Sequence, residues 1–140
     1  MVKLAGEKNF ENRVKSWLEK EGIYAAGTPE QNIVQPVRGW YFKVWGGGFQ
    51  KAGIPDLIIN VNGFFLGVEL KSDTGRPSDL QKKNVQLINR GNGLGLVLYP
   101  KGFEQFKSIV KGVKECNVAI PVLNALKAAH SSTKCDTLTV

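Results

Sequence analysis

Apolar residues recur at every second position on both sides of Asn62-Gly63: Leu57, Ile59 and Val61 before it, Phe64, Leu66, Val68 and Leu70 after it. Period-two alternation places such residues on one face of a strand. Asn-Gly supplies the two positive φ angles of a type I′ turn, so the stretch predicts a β-hairpin with an apolar core face. The period then changes. Phe10, Val14, Trp17 and Leu18 fall on one helical stripe, predicting a helix over 7–21 that stops at Gly22. Trp40 to Trp45 suits a strand, with Trp40, Phe42 and Val44 assigned to the core face and Tyr41, Lys43 and Trp45 to the other. Ser78 starts a helix that runs to Arg90, with Gly91 at its C′ position and Leu80, Val85, Leu87 and Ile88 as its buried side. Residues 95–99 read as a short strand buried on both faces, and Phe103, Phe106, Val110 and Val113 mark another amphipathic helix. Residues 25–39 carry Gly27, Pro29, Pro36 and Gly39 without periodicity and read as loop or a short edge strand; 117–129 suit one more short helix.

The order helix, strand, hairpin, helix, strand, helix predicts an α/β domain, a mixed central β-sheet flanked by helices. One domain over 1–130 is expected, with a frayed, flexible tail at 131–140.

A two-residue turn also fixes register. If Val61 faces Phe64, then Ile59 faces Leu66 and Asp56 falls opposite Glu69, with Lys71 two residues on and on the same face. Carboxylates directly opposite on antiparallel strands lie about 5 Å apart and repel. A shared proton, an ammonium group or a cation must offset that. Oxygen ligands of this kind suit a hard divalent ion such as Mg2+ or Mn2+, beside which Lys71 would orient water or balance developing charge. A solvated polar face with one cross-strand charge pair is the plainer reading of the same residues.

Composition narrows the chemistry. Of 140 residues 19 are Lys or Arg and 12 are Asp or Glu, for a net charge of +7, which favours an anionic partner, nucleic acid being the commonest. A single His and two distant cysteines argue against a His-based triad and a zinc site, so oxygen ligands are expected for any metal. No apolar run approaches a membrane span and no leader pattern is seen, so a cytoplasmic chain with no membrane partner is expected.

Other candidates carry two readings each. Glu11, at the edge of the first helix's apolar stripe, either reaches the active face or complements the helix dipole. Gln81, three residues after Ser78, is explained by a capping box. Arg76, Lys82 and Lys83 near that helix start, Lys43 on its strand, and Lys51 in the glycine-rich loop 46–53 fit phosphate contacts; a solvated face, or for the loop a plain connector, explains them as well. That loop lacks the spacing of a P-loop.

Gly53-Ile54-Pro55-Asp56 followed by Glu69-Leu70-Lys71 resembles the PD-(D/E)xK nuclease superfamily, more narrowly its VRR-NUC and Holliday-junction-resolvase-like domains. The resemblance runs roughly from Glu11 to Phe106. It implies a restriction-endonuclease-like core and metal-dependent cleavage of DNA, structure-selective in the manner of junction, flap or nick processing in replication, repair or recombination. It also implies roles for residues: Asp56, Glu69 and the Leu70 carbonyl as metal ligands, Glu11 as a further ligand from the first helix, Lys71 at the attacking water, Gln81 behind them, and Lys43 before the Pro-Asp turn. A homodimer would suit a junction substrate. Two rivals stand beside this reading. One is a non-catalytic, basic DNA-binding module with the same fold; the other is an enzyme acting on a different phosphate ester.

Overall fold

The computed structural model describes residues 5–45 and 51–116. Three α-helices and five strands alternate in it: α1 (Ala5–Lys20), β1 (Ile23–Ala25), β2 (Gly39–Lys43), β3 (Leu57–Val61), β4 (Phe64–Leu70), α2 (Asp79–Arg90), β5 (Leu94–Leu98) and α3 (Phe103–Lys114). The strands form one sheet in sequence order. The outer pairs β1–β2 and β4–β5 are parallel, and the two central pairs antiparallel. This is the mixed, helix-flanked α/β sheet that the element order predicts. The expected helix at 117–129, the tail at 131–140 and residues 46–50 of the glycine-rich loop lie outside the described residues.

The β3–β4 hairpin sets the core. Asn62 and Gly63 take φ of 51° and 86°, and Val61 pairs with Phe64, Ile59 with Leu66 and Leu57 with Val68. Leu57, Ile59, Val61, Leu66, Val68 and Leu70 are all fully buried. Against this face lie Phe10, Val14 and Leu18 of α1 with Phe103, Phe106 and Val110 of α3. The two helices meet through edge-on rings, Phe10 with Phe103 at 5.6 Å and Trp17 with Phe106 at 6.1 Å. Arg38 Nη2 donates to the Lys114 carbonyl at 2.7 Å and Asn62 Nδ2 to the Val113 and Cys116 carbonyls, satisfying the C-terminal end of α3 from the hairpin side.

The other face of the sheet carries α2, and its approach depends on glycine. A Cβ on Gly95 would stand 2.7 Å from the Val85 carbonyl oxygen, and one on Gly67 2.7 Å from Ile88 Cδ1. With no side chains there, α2 lies directly on β4 and β5. Asn89 then exchanges two hydrogen bonds with Gly95, at 2.9 and 2.8 Å. These occupy backbone groups of the edge strand that would otherwise invite another strand.

Four sequence expectations are corrected here. On β2 the faces are reversed: Tyr41 is buried, while Trp40 and Phe42 are 44% and 37% exposed. The reason is register. Gly39, Tyr41 and Lys43 face Val61, Ile59 and Leu57, whose side is core, while α2 covers β4 and β5 and leaves the reverse of β2 open. Leu80 and Leu87 of α2 are also exposed, and α2 has no fully buried residue. β5 is only partly buried, as suits an edge strand with one neighbour. After α2 it is Asn92, at φ 68°, and not Gly91 that takes the left-handed conformation.

Two glycine substitutions separate close approach from mere permissiveness. Gly95→Ala is expected to cost about 1–3 kcal/mol, because the clash is with backbone and α2 must shift. Gly112→Ala, on α3 with open space around it, should add about 0.5–1 kcal/mol through helix propensity. Urea unfolding of both variants checks the opposite signs.

Candidate active site

At the C-terminal end of β4, next to the turn into α2, the hairpin register brings Asp56 to Glu69 as the alternation predicts. Asp56 lies just before β3, and its Oδ2 accepts from the Leu70 N–H at 2.8 Å, which fixes the carboxylate across the strand pair. Glu69 is 2% exposed. Its Oε1 is bound twice: Gln81 Nε2 donates to it at 2.7 Å and Lys71 Nζ stands 3.3 Å away. Its Oε2 is buried with no hydrogen-bond donor. Buried polar atoms in this condition are uncommon, and here the neighbour is another carboxylate.

The consequence is electrostatic. Burial, reinforced by the Asp56 carboxylate, pushes the Glu69 carboxyl up from 4.5 to about 7, against the lowering effect of Lys71. An acid in this condition accepts either a proton or a cation, and the two compete.

Three local devices hold the arrangement. Gly53, at φ 82°, brings the Gly-Ile-Pro-Asp turn against α2 so closely that a Cβ there would meet Leu80 Cγ at 2.5 Å. Asn84 Nδ2 binds the Gly53 carbonyl at 2.8 Å. Gln81 does two jobs at once. Its Oε1 accepts from the Ser78 N–H at 2.8 Å, completing the capping box, while its Nε2 holds Glu69. The capping and site readings of Gln81 are therefore compatible, because an amide has a separate acceptor and donor end.

Glu11 and Lys43 pair with each other. Glu11 is buried on the core side of the sheet, in an ion pair with Lys43, and Lys15 lies 3.3 Å from its other oxygen. Among the described residues no three Asp, Glu, His or Cys side chains gather as a metal-holding group. The structure thus brings together Asp56, Glu69, Lys71 and Gln81, and sets Glu11 with lysines. Lys51, Arg76, Lys82 and Lys83 are exposed around the loop and helix start. The sequence reading missed Asn84, which carries no periodic signal, and Lys15, whose i,i+4 spacing from Glu11 is a readable one. Tyr41 was assigned to the wrong face; it donates from its hydroxyl to Glu19 at 3.0 Å, and burial plus that carboxylate keep it protonated.

A Mg2+ ion takes one or two carboxylates and keeps several waters. Asp56, Glu69 with its donorless Oε2, and the neighbouring Leu70 carbonyl meet that requirement in number and chemistry. No family model, curated protein or solved structure matches this chain.

The raised Glu69 carboxyl makes a prediction for the metal-free protein. Between about pH 4.5 and 7 the unfolded chain has released this proton while the folded chain keeps it. The stability it contributes is therefore present at low pH and lost as pH rises through about 7. Denaturant unfolding in EDTA should show a loss of about 1–3 kcal/mol over that window, and Glu69→Gln should flatten it. An unchanged profile in that variant removes the assignment.

Proposed function

We propose that this chain is a nuclease that hydrolyses phosphodiester bonds in DNA using Mg2+ or Mn2+ held by Asp56, Glu69 and the Leu70 carbonyl. The observation that carries the reading is Glu69, a buried carboxylate with one oxygen bound by Gln81 and Lys71 and the other left without a donor beside Asp56. A cation there turns repulsion between the carboxylates into shared attraction. When bound, such an ion acidifies a water and neutralises charge at the scissile phosphate.

The protein's own residues supply the rest. Leu70 N–H holds Asp56 in its orientation. Gln81 is a positioning residue that fixes the rotamer of Glu69 from the first turn of α2. Lys71, nine-tenths enclosed at 13% exposure, orients the attacking water and balances the negative charge that grows on the phosphorus oxygens. Lys51, Arg76, Lys82 and Lys83, all exposed, contact flanking phosphates, in keeping with the excess of positive charge. A non-catalytic DNA-binding module is the second reading. It is favoured by the way Lys71 and Gln81 already satisfy Glu69 Oε1 with no further group.

Incubation with labelled four-way junctions, flaps, nicked duplex and single strands, in Mg2+, Mn2+ or EDTA, decides between them. Cleavage should occur only with metal. Asp56→Ala, Glu69→Ala and Lys71→Ala should each lower it by about 100-fold or more while circular dichroism stays unchanged. Lys71→Ala should still bind DNA, whereas Arg76→Ala and Lys83→Ala should bind more weakly with a shallower salt slope, by about 0.9 per phosphate lost. Absence of cleavage on every substrate with both metals leaves the binding module; full activity in a folded variant removes that residue's role.

A further inference from the structure

Between α1 and α3, the two helices that cover the core face of the sheet, lies a cavity of about 380 Å3. Phe103 forms its floor, and the ring carries two cations: Lys107 Nζ lies 4.4 Å from the centroid and the Arg13 guanidinium 5.4 Å. Trp17, in edge contact with Phe103, also lies under Lys107, at 6.0 Å. Lys20 completes the wall with Asn12 and Ser16. Two cations drawn to one ring are held no more than about 10 Å apart and repel each other. Arg13 and Lys20 form no ion pair among the described residues, and Lys107 is met by Glu104 at 3.0 Å, a side chain 86% exposed. An exposed pair of this kind contributes little and gives way to a better anion. The cavity thus gathers three positive charges against one solvated negative charge.

The class of ligand follows from what the cavity lacks. Phe103 is 4% exposed and Trp17 half-buried, both beneath Lys107, so no apolar pocket is left to anchor a peptide. What the cavity offers is charge, including a guanidinium fork that matches phosphate oxygens. Arg13 and Lys20 are seven residues apart on one helix, about 10.5 Å along its axis. That row is longer than one phosphate group and suits several in succession along a nucleic-acid strand. We propose that this cavity is a phosphate-binding site that grips the backbone of a nucleic acid through Arg13, Lys107 and Lys20. It lies in the helix layer on the core face, whereas Glu69 faces α2 through Gln81. The phosphates held here therefore belong to a part of the polyanion that is not being cut. Backbone contacts carry no base information, so binding is indifferent to sequence. The site rests on the DNA reading for its ligand and is independent of any metal.

Binding of a short labelled DNA duplex is followed by anisotropy in EDTA over a salt series, with inorganic phosphate and polyglutamate as competitors. Arg13→Gln and Lys107→Met should each weaken binding about 10-fold at about 50 mM salt and make the salt slope shallower by about 0.9. Methionine keeps the stem that covers Phe103, and circular dichroism confirms the fold. Glu104→Gln, which removes the competitor for Lys107, should tighten binding by about 2- to 5-fold. Lys8→Gln, an exposed charge on α1 outside the cavity, should change affinity by less than about twofold. Equal losses in Arg13→Gln and Lys8→Gln overturn the site, because net charge alone is then responsible. Polyglutamate displacing the duplex as well as unlabelled DNA does assigns the cavity to an acidic peptide and overturns it too, as does inorganic phosphate competing equally well. A protein that binds through Arg13 and Lys107 and cuts nothing with Mg2+ or Mn2+ keeps this site and loses the nuclease reading. One that cuts, with binding unaltered in both variants, keeps that reading and loses this site.

Discussion

Register across the Asn62-Gly63 turn decides both what this protein buries and which charges it forces together. Because side chains alternate with a period of two, a slip of one residue would move Leu57, Ile59 and Val61 to the α2 side and expose them. The same slip would separate Asp56 from Glu69. The penalty for exposing an apolar row is several kcal/mol, at about 25 cal/mol per Å2, and it exceeds the cross-strand repulsion of one carboxylate pair. The hydrophobic face thus holds in place an electrostatic arrangement that is unfavourable by itself. Leu70 N–H to Asp56 and Gln81 to Glu69 reduce that cost without removing it, since Glu69 Oε2 still has no donor.

Helix α2 is the second constraint. Its first turn must reach β4 for Gln81 to touch Glu69, and its body must lie flat for Asn89 to grip the edge of β5. Both depend on the missing Cβ atoms of Gly67 and Gly95, and the Gly53 turn is docked onto the same helix through Asn84. So the segment carrying Asp56 and the strand carrying Glu69 are referenced to one rigid element. Helix stability and site geometry are coupled through the single amide of Gln81, whose two ends serve the cap and the carboxylate.

Much of this was legible in the residues, and the failures have a common cause. The hairpin, the core face of β3 and β4, the Ser78 cap and the meeting of Asp56 with Glu69 follow from local rules: turn chemistry, alternation and capping distance. β2 was misread because Trp40, Tyr41 and Phe42 are large and apolar on both faces, so alternation carries no information there. Only its partner, with Tyr41 opposite Ile59, decides the side. Leu80 and Leu87 were misread because a helical stripe reports which residues share a face and says nothing of how much sheet lies beneath them. Asn84 and Lys15 act through contacts whose meaning depends on the tertiary fold. Non-local information was needed in each case.

The two buried glutamates show how neighbours give one side chain type two different characters. Glu11 is set between two lysines, and its carboxylate pairs with both ammonium groups. Glu69 is buried with one lysine, one amide and an acidic neighbour, so burial first and the Asp56 carboxylate second raise its proton affinity against the pull of Lys71. The first environment presents positive charge beside an exposed indole ring, and the second presents a demand for positive charge. They stand on opposite faces of the same sheet end, joined through the Val44–Asp56 backbone bond. Burial alone therefore does not set the character of a carboxylate; the charges packed against it do.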